Sequence, residues 1–133
     1  SQYLKVVRCD HPLTFSKWSE VSRVNYTVGE EYENAKAVCI AFNPSRFDDP
    51  SFVVAGSVKK TGENGEHHYL SLSMYVQSAV GGDFVRLFYH VFDVELEEER
   101  EISSVAWAPS SGGEGHTFAI ATKTTVHICK HKQ

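Results

Sequence analysis

"IAFNPSRFDDPSFVVAGS" occupies positions 40–57, and "VAWAPSSGGEGHTFAIATK" at positions 105–123 has nearly the same rhythm. Each phrase opens with a short apolar run that contains a large aromatic residue, stops at a proline, and resumes with a second apolar run. The first runs lie 65 positions apart and the second runs 66, because the second loop is one residue longer. The chain therefore contains an internal repeat of about 65 residues. The markers of the repeat are Phe42, Pro44, Trp107 and Pro109.

Short apolar runs separated by Gly, Pro, Asp, Asn and Ser are the dominant pattern of the whole chain. No segment longer than about ten residues has the apolar spacing of a helix, and the runs are rich in β-branched and aromatic residues. The pattern therefore predicts an all-β fold. We expect strands at positions 3–9, 18–28, 37–43, 51–58, 69–78, 84–94, 102–108, 117–123 and 124–132, with only a tight turn between the last two.

The repeat unit holds four of these strands. A four-stranded antiparallel unit repeated in tandem, with an inward strand of small and apolar residues, is typical of a β-propeller blade. We predict a partial propeller in which positions 1–28 form the last two strands of one blade, positions 37–94 a complete blade, and positions 102–132 the first three strands of the next. The prolines would end the innermost strands, because proline has no N–H to donate to a ladder, and Ser45 or Ser110 can bond the turn backbone.

About two blades do not close a ring. Exposed blade faces would leave large apolar patches, and unpaired edge strands invite association. We therefore expect the sequence to be a fragment of a six- or seven-bladed ring, because repeat units require several neighbours to be stable. The alternative is that short chains associate with one another to complete a ring.

Three segments carry a resemblance to a known family. They are "LTFSKWSEV" around Trp18, "CIAFNPSRF" with "FVVAGS", and "ISSVAWAPSSGGEGHTFAIATK". Their order and approximate spacing resemble those of a WD-repeat propeller, and more narrowly those of the Seh-type nucleoporin, whose paralogue is a vesicle-coat propeller. The chain departs from the regular repeat, since no Gly-His precedes an inner strand and no Trp-Asp closes a third strand. The hydrogen-bonded network of the regular repeat is therefore not assigned to any residue.

The resemblance implies a function and a location. It implies a non-enzymatic protein-interaction scaffold of the nuclear pore Y-complex, at the nuclear envelope, that serves protein and mRNA transport and binds an α-solenoid nucleoporin. It also implies a place in a nutrient-signalling complex on the cytoplasmic face of the lysosome or vacuole. The alternatives are a vesicle-coat propeller or another WD-repeat adaptor.

Composition argues against two classes of partner. The chain has 133 residues and a net charge of −4, and its 13 basic residues are scattered, whereas a surface that follows nucleic-acid phosphates needs them clustered. No apolar run approaches the roughly 18 residues that a membrane-spanning helix requires. We therefore expect neither direct binding of nucleic acid nor insertion into a membrane.

Antiparallel connectivity alternates the loops between two rims, so we expect the loops at positions 44–50 and 109–116 on one rim and those at positions 59–68 and 95–101 on the other. Two features of these loops are candidate partner contacts. The segment "ELEEERE" at positions 95–101 has five glutamates, and it is either a solvated connector or an acidic contact for a basic partner surface through Glu97, Glu98 and Glu99. Phe47 lies in an otherwise polar loop, where it either packs back on the blade or anchors a partner.

The sequence offers little for catalysis or metal binding. His127, Cys129 and His131 alternate along a strand and so share one face, which is compatible with zinc, although Cys129 can equally pack against a neighbouring blade. His67 and His68 lie in a Gly-rich segment without ligands at a known spacing. There is no GxSxG, HExxH or Walker motif. We predict no enzyme activity, metal, cofactor or small-molecule substrate, with a propeller enzyme or metal-binding module as the less favoured reading.

Overall fold

The structure, a computed structural model, describes residues 2–11, 13, 16–26, 32, 34–45, 48–77, 79, 81–98, 101–108 and 115–131. Nine strands run through these residues. They are β1 (Gln2–His11), β2 (Ser16–Tyr26), β3 (Ala35–Phe42), β4 (Ser51–Gly62), β5 (Gly65–Gln77), β6 (Phe84–Leu96), β7 (Ile102–Trp107), β8 (His116–Thr122) and β9 (Val126–His131).

The strands form three antiparallel sheets in chain order. The N-terminal sheet is β1-β2, the middle sheet is β3-β4-β5-β6, and the C-terminal sheet is β7-β8-β9. Within each sheet, every strand pairs with the strand next to it in sequence, as short turns between antiparallel strands allow. The predicted all-β fold is confirmed. The described part of the chain has no helix that could span a membrane.

The middle sheet is covered on both faces. Val53 and Ala55 of β4 face the C-terminal sheet, whereas Phe52 and Val54 face the N-terminal sheet. The sequence of β4 is therefore a nearly continuous apolar run. An alternation of apolar and polar residues would be expected only if one face were exposed. The core towards the C-terminal sheet contains Val53, Ala55, Leu70, Leu72, Met74, Leu96, Ile102, Val105, Phe118 and Ile120. The core towards the N-terminal sheet contains Leu4, Val24, Tyr26, Phe52, Val54, Val58, Tyr75 and Phe84.

The internal repeat is also a structural repeat. Phe42 pairs with Phe52 on the neighbouring strand, and Trp107 pairs with Phe118 in the same register. Strands β3 and β7 each carry an irregularity at the equivalent place, between positions 37 and 39 and between positions 102 and 104. Because such a β-bulge shifts which side chains face each side of the sheet, the two strand pairs present equivalent residues to equivalent neighbours.

One segment differs from its prediction. Positions 59–68, predicted as a loop, continue β4 and β5 into a long hairpin whose turn is Glu63 and Asn64. Gly62 pairs with Gly65, and Gly65 has a φ of 103°, a conformation that favours glycine. The polar, Gly-rich composition suggested a loop, but two strands that pair with each other need no apolar cover to satisfy their backbones.

Several strand ends also shift. Strand β6 continues to Leu96, so the first two residues of "ELEEERE" belong to it and not to the connector. Strand β9 begins at Val126 because Thr122 and Thr125 close the turn before it, with the N–H of Thr122 donating to the carbonyl of Thr125 at 2.8 Å. The predicted tight turn is confirmed. Positions 27, 28, 78 and 132 of the predicted strands lie outside the described residues.

Candidate protein-interaction surfaces

The connector after β6 lies beside the turns of neighbouring strands. Glu98 pairs with Lys123 in the β8–β9 turn, and Glu95 pairs with His67 on the β4–β5 hairpin. These contacts bring the connector, the hairpin and the turn to one edge of the stacked sheets, as predicted for segments 59–68 and 95–101. We call this edge the acidic rim. Its described acidic residues are Glu63, Glu66, Glu95, Glu97, Glu98 and Glu101.

Two of the predicted contact residues are exposed on the acidic rim. They are Glu97 and Glu98, while Glu99 lies outside the described residues. The hydrogen bond and the charge of Glu98 raise the pKa of the Lys123 ammonium. Because Lys123 is fully exposed, water screens this attraction and the pair adds little to stability. The glutamates form an anionic surface that a cationic partner can approach by long-range attraction.

The opposite rim carries the residues that follow β3. The backbone N–H of Asn43 donates to the carbonyl of Ser51 at 2.9 Å, and its side-chain oxygen accepts the N–H of Ser45 at 3.0 Å. Pro44 follows where strand pairing ends, as predicted. The bond joins the backbone of Ser45, which the sequence singled out for this turn, to the side chain of Asn43, which it did not. Phe47 and Pro109 lie outside the described residues.

Trp107 joins the C-terminal sheet to β3, the first strand of the middle sheet. Its indole Nε1–H donates to the carbonyl oxygen of Ala41 at 2.9 Å, and its ring meets that of Phe118 edge-on, with centroids 4.8 Å apart. Phe42 holds the equivalent place but is 59% exposed, because the N-terminal sheet has two described strands and neither lies opposite it. The same repeat position is therefore in a contact between sheets at Trp107 and exposed at Phe42.

A groove of about 610 Å³ opens between β6 and β9. The middle sheet has four strands here and the C-terminal sheet has three, so part of β6 faces no strand and the outer edge of β9 is unpaired among the described strands. Unpaired strand edges are templates for further pairing. Its lining towards the middle sheet includes Leu72, Phe88, Phe92, Phe118, Cys129 and His131.

The groove contains side chains of types that can ligate metal ions or react as nucleophiles. His127, Cys129 and His131 line it together, as their alternation predicted. Among the residues that the structure describes, no three His, Cys, Asp or Glu side chains are placed to hold a metal ion. Burial raises the pKa of the Cys129 thiol, which favours the protonated and less reactive form. The ring of His131 stacks on Phe88, with centroids 4.2 Å apart.

A buried group of hydroxyls lies between the N-terminal and middle sheets. Tyr26 is 1% exposed, and its hydroxyl lies 3.5 Å from the Oγ of Ser71. Burial raises the pKa of Tyr26, and burial with the nearby Tyr26 charge raises the pKa of Tyr75 to about 12. Both phenols therefore stay neutral at physiological pH. Nothing in the strand pattern singled out Tyr26, because its role depends on which face of another sheet lies against it.

Comparisons of the chain with protein-family models, with curated proteins and with solved structures found no match.

Proposed function

We propose that the chain is part of a β-propeller that acts as a protein-interaction scaffold and not as an enzyme. The observation that carries the proposal is the repetition of one strand pair, with its register and its bulge, in two sheets that stack face to face. Sheets that repeat and stack in this way build rings when enough of them follow one another. The division into blades at positions 1–28, 37–94 and 102–132 is part of this proposal.

The proposed assembly is the nuclear pore Y-complex at the nuclear envelope, with an α-solenoid nucleoporin as the partner. The support is the resemblance of "CIAFNPSRF", "FVVAGS" and "ISSVAWAPSSGGEGHTFAIATK" to the Seh-type nucleoporin. Fold alone does not fix function. The nutrient-signalling complex of the lysosome or vacuole and the vesicle coat are therefore outcomes of the test and not parts of the proposal.

The acidic rim is the proposed contact surface. Glu97 and Glu98 are exposed there, Glu95 at the end of β6 contacts the hairpin, and Glu98 in the connector contacts the β8–β9 turn. An anionic edge of this kind supplies selectivity and association rate for a basic partner more than raw affinity. A scaffold needs such a fixed surface, whereas a catalytic site would need a cluster of reactive groups.

Affinity purification of the full-length source protein, followed by quantitative mass spectrometry, tests the proposal. Enrichment of pore scaffold components supports it. Enrichment of lysosomal signalling or coat components would reassign the chain to those assemblies. An intact mass near that of the 133-residue chain, 14.9 kDa, would contradict the view that the chain is part of a longer propeller.

A further inference from the structure

The outer face of the C-terminal sheet is an apolar surface that no described residue covers. Val126 is 62% exposed and Ile128 is 69% exposed on β9. The small side chains beside them belong to Ala119 and Ala121, which pair with Ile128 and Val126 across the β8–β9 ladder. Ala106 lies opposite Ala119 on β7 and completes the face. Exposed apolar residues grouped on one face of a sheet are typical of an interaction site.

Each residue of this face has an equivalent in the middle sheet that is already in an interface. Ala41 and Ala106 are equivalent by register, and the carbonyl of Ala41 accepts the hydrogen bond from Trp107. The remaining equivalent pairs are Val53 with Ala119, Ala55 with Ala121, Leu72 with Val126, and Met74 with Ile128. The middle-sheet member of each of these pairs is at most 3% exposed, because the C-terminal sheet covers it.

From this correspondence we infer that the outer face of the C-terminal sheet binds a further antiparallel sheet of the same repeat. Its inner strand carries a large aromatic residue at the place of Trp107, and an indole there donates a hydrogen bond to the carbonyl of Ala106. Val126 and Ile128 become buried as Leu72 and Met74 are. The inference rests on the proposed propeller, and it assigns the residues that receive the next sheet.

A second copy of residues 1–133 does not fit this place. Its middle sheet would have to lie on the outer face, which puts its N-terminal sheet in the same layer as the C-terminal sheet of the first copy. That layer would then hold five strands, two from one copy and three from the other, where the middle sheet holds four. The occupant is therefore a sheet from outside this segment, not the Ile40–Phe42 face of another copy.

The chain itself supplies a probe for the test. Val76 lies opposite Ser51 and Lys130 lies opposite Thr117, so His131 is the equivalent of Gln77. A chain in which residues 78–131 are repeated directly after His131 therefore continues the repeat in register. The added copy of β6 becomes the fourth strand beside β9, and the added copies of β7, β8 and β9 become the next sheet. The comparison is with the 133-residue chain.

In the extended chain we expect hydrogen exchange of the β9 amides to slow at least about tenfold, and the urea midpoint to rise. Ile128→Asp should remove most of the rise in the extended chain and change little in the original chain, where the side chain is exposed. Ile128→Val should keep the rise. If Ile128→Asp leaves the rise in the urea midpoint intact, the added sheet does not bind the outer face of the C-terminal sheet, although the repeat continues. If the β9 amides exchange at the same rate in both chains, the repeat does not continue beyond β9, and the proposed propeller is wrong as well.

Discussion

The indole N–H of Trp107 donates a hydrogen bond to the carbonyl oxygen of Ala41, 66 positions earlier in the chain, at 2.9 Å. Ala41 lies on the first strand of the middle sheet, and Trp107 on the first strand of the C-terminal sheet. The bond therefore joins the two sheets at corresponding edge strands. It uses a carbonyl that lies beside the equivalent aromatic residue, Phe42, in the preceding repeat.

Replacing Trp107 with Phe should lower the free energy of unfolding by about 1 to 2 kcal/mol. The variant removes the only N–H that Trp107 offers to Ala41, at a net cost of about 1 kcal/mol, and loses some packing against Phe118. Urea denaturation measures the change. Tyr3→Phe is the control, because it removes one polar group from an exposed aromatic residue and should change stability by less than about 0.5 kcal/mol. Equal losses in the two variants would show that the bond does not hold the sheets together.

Gly56→Ala should destabilise the chain by about 2 to 4 kcal/mol. A Cβ at Gly56 would lie 2.1 Å from the carbonyl oxygen of Lys36 and 2.8 Å from the Tyr26 hydroxyl, so the backbone of β3 and the N-terminal sheet would both have to shift. Gly62→Ala is the matched control, since nothing lies within 4 Å of its Cβ position. Thermal unfolding of both variants checks the prediction, and a Gly56→Ala melting temperature equal to that of Gly62→Ala would contradict it.

Stability should fall at alkaline pH through the buried phenols. In the unfolded chain a tyrosine ionises near pH 10, whereas the folded pKa of Tyr75 is raised to about 12. The contribution of Tyr75 is therefore fully present below about pH 10 and is lost as the pH rises from about 10 to 12. Tyr75→Phe should flatten the decline of the unfolding free energy over this range, and Tyr3→Phe should not. Parallel curves for the two variants would rule out this account of Tyr75.

Reversal of charge on the acidic rim should weaken assembly of the full-length protein. Replacing Glu97, Glu98 and Glu99 by Lys turns an attraction for a basic partner into a repulsion, so partner recovery in affinity purification should fall several-fold and depend less on salt. The stability of the chain should change by less than about 1 kcal/mol, because the Lys123–Glu98 pair is exposed. Reversal of the exposed Asp48, Asp49 and Asp83 changes the charge equally away from the acidic rim and serves as the control. Unchanged recovery would make "ELEEERE" a solvated connector.

The strands could be predicted from the sequence because the pattern of their apolar side chains depends on which faces of the strand are buried. Val53, Val54 and Ala55 form an apolar run that only a strand covered on both faces explains, and the two proline phrases fixed the equivalence of β3–β4 with β7–β8. The edge shared by segments 59–68 and 95–101 followed from antiparallel connectivity alone.

The contacts between sheets could not be predicted in the same way. The bond from Trp107 to Ala41 ends on a backbone carbonyl, and every residue of β3 offers one. Which carbonyl is used depends on how two sheets stack, and no pattern within either strand carries that information. The hairpin at positions 59–68 was missed for a related reason, because backbone pairing extends it beyond the apolar cover that strand patterns detect.

The turn of that hairpin is also a suitable place to insert a tag. Its turn residues Glu63 and Asn64 are exposed, and the backbone on both sides is paired up to Gly62 and Gly65. Exposed turn tips of this kind tolerate added sequence, because the paired strands hold the two ends close together. An epitope or a small fluorescent reporter inserted between Glu63 and Asn64 would mark the protein within living cells without interrupting either strand of the hairpin.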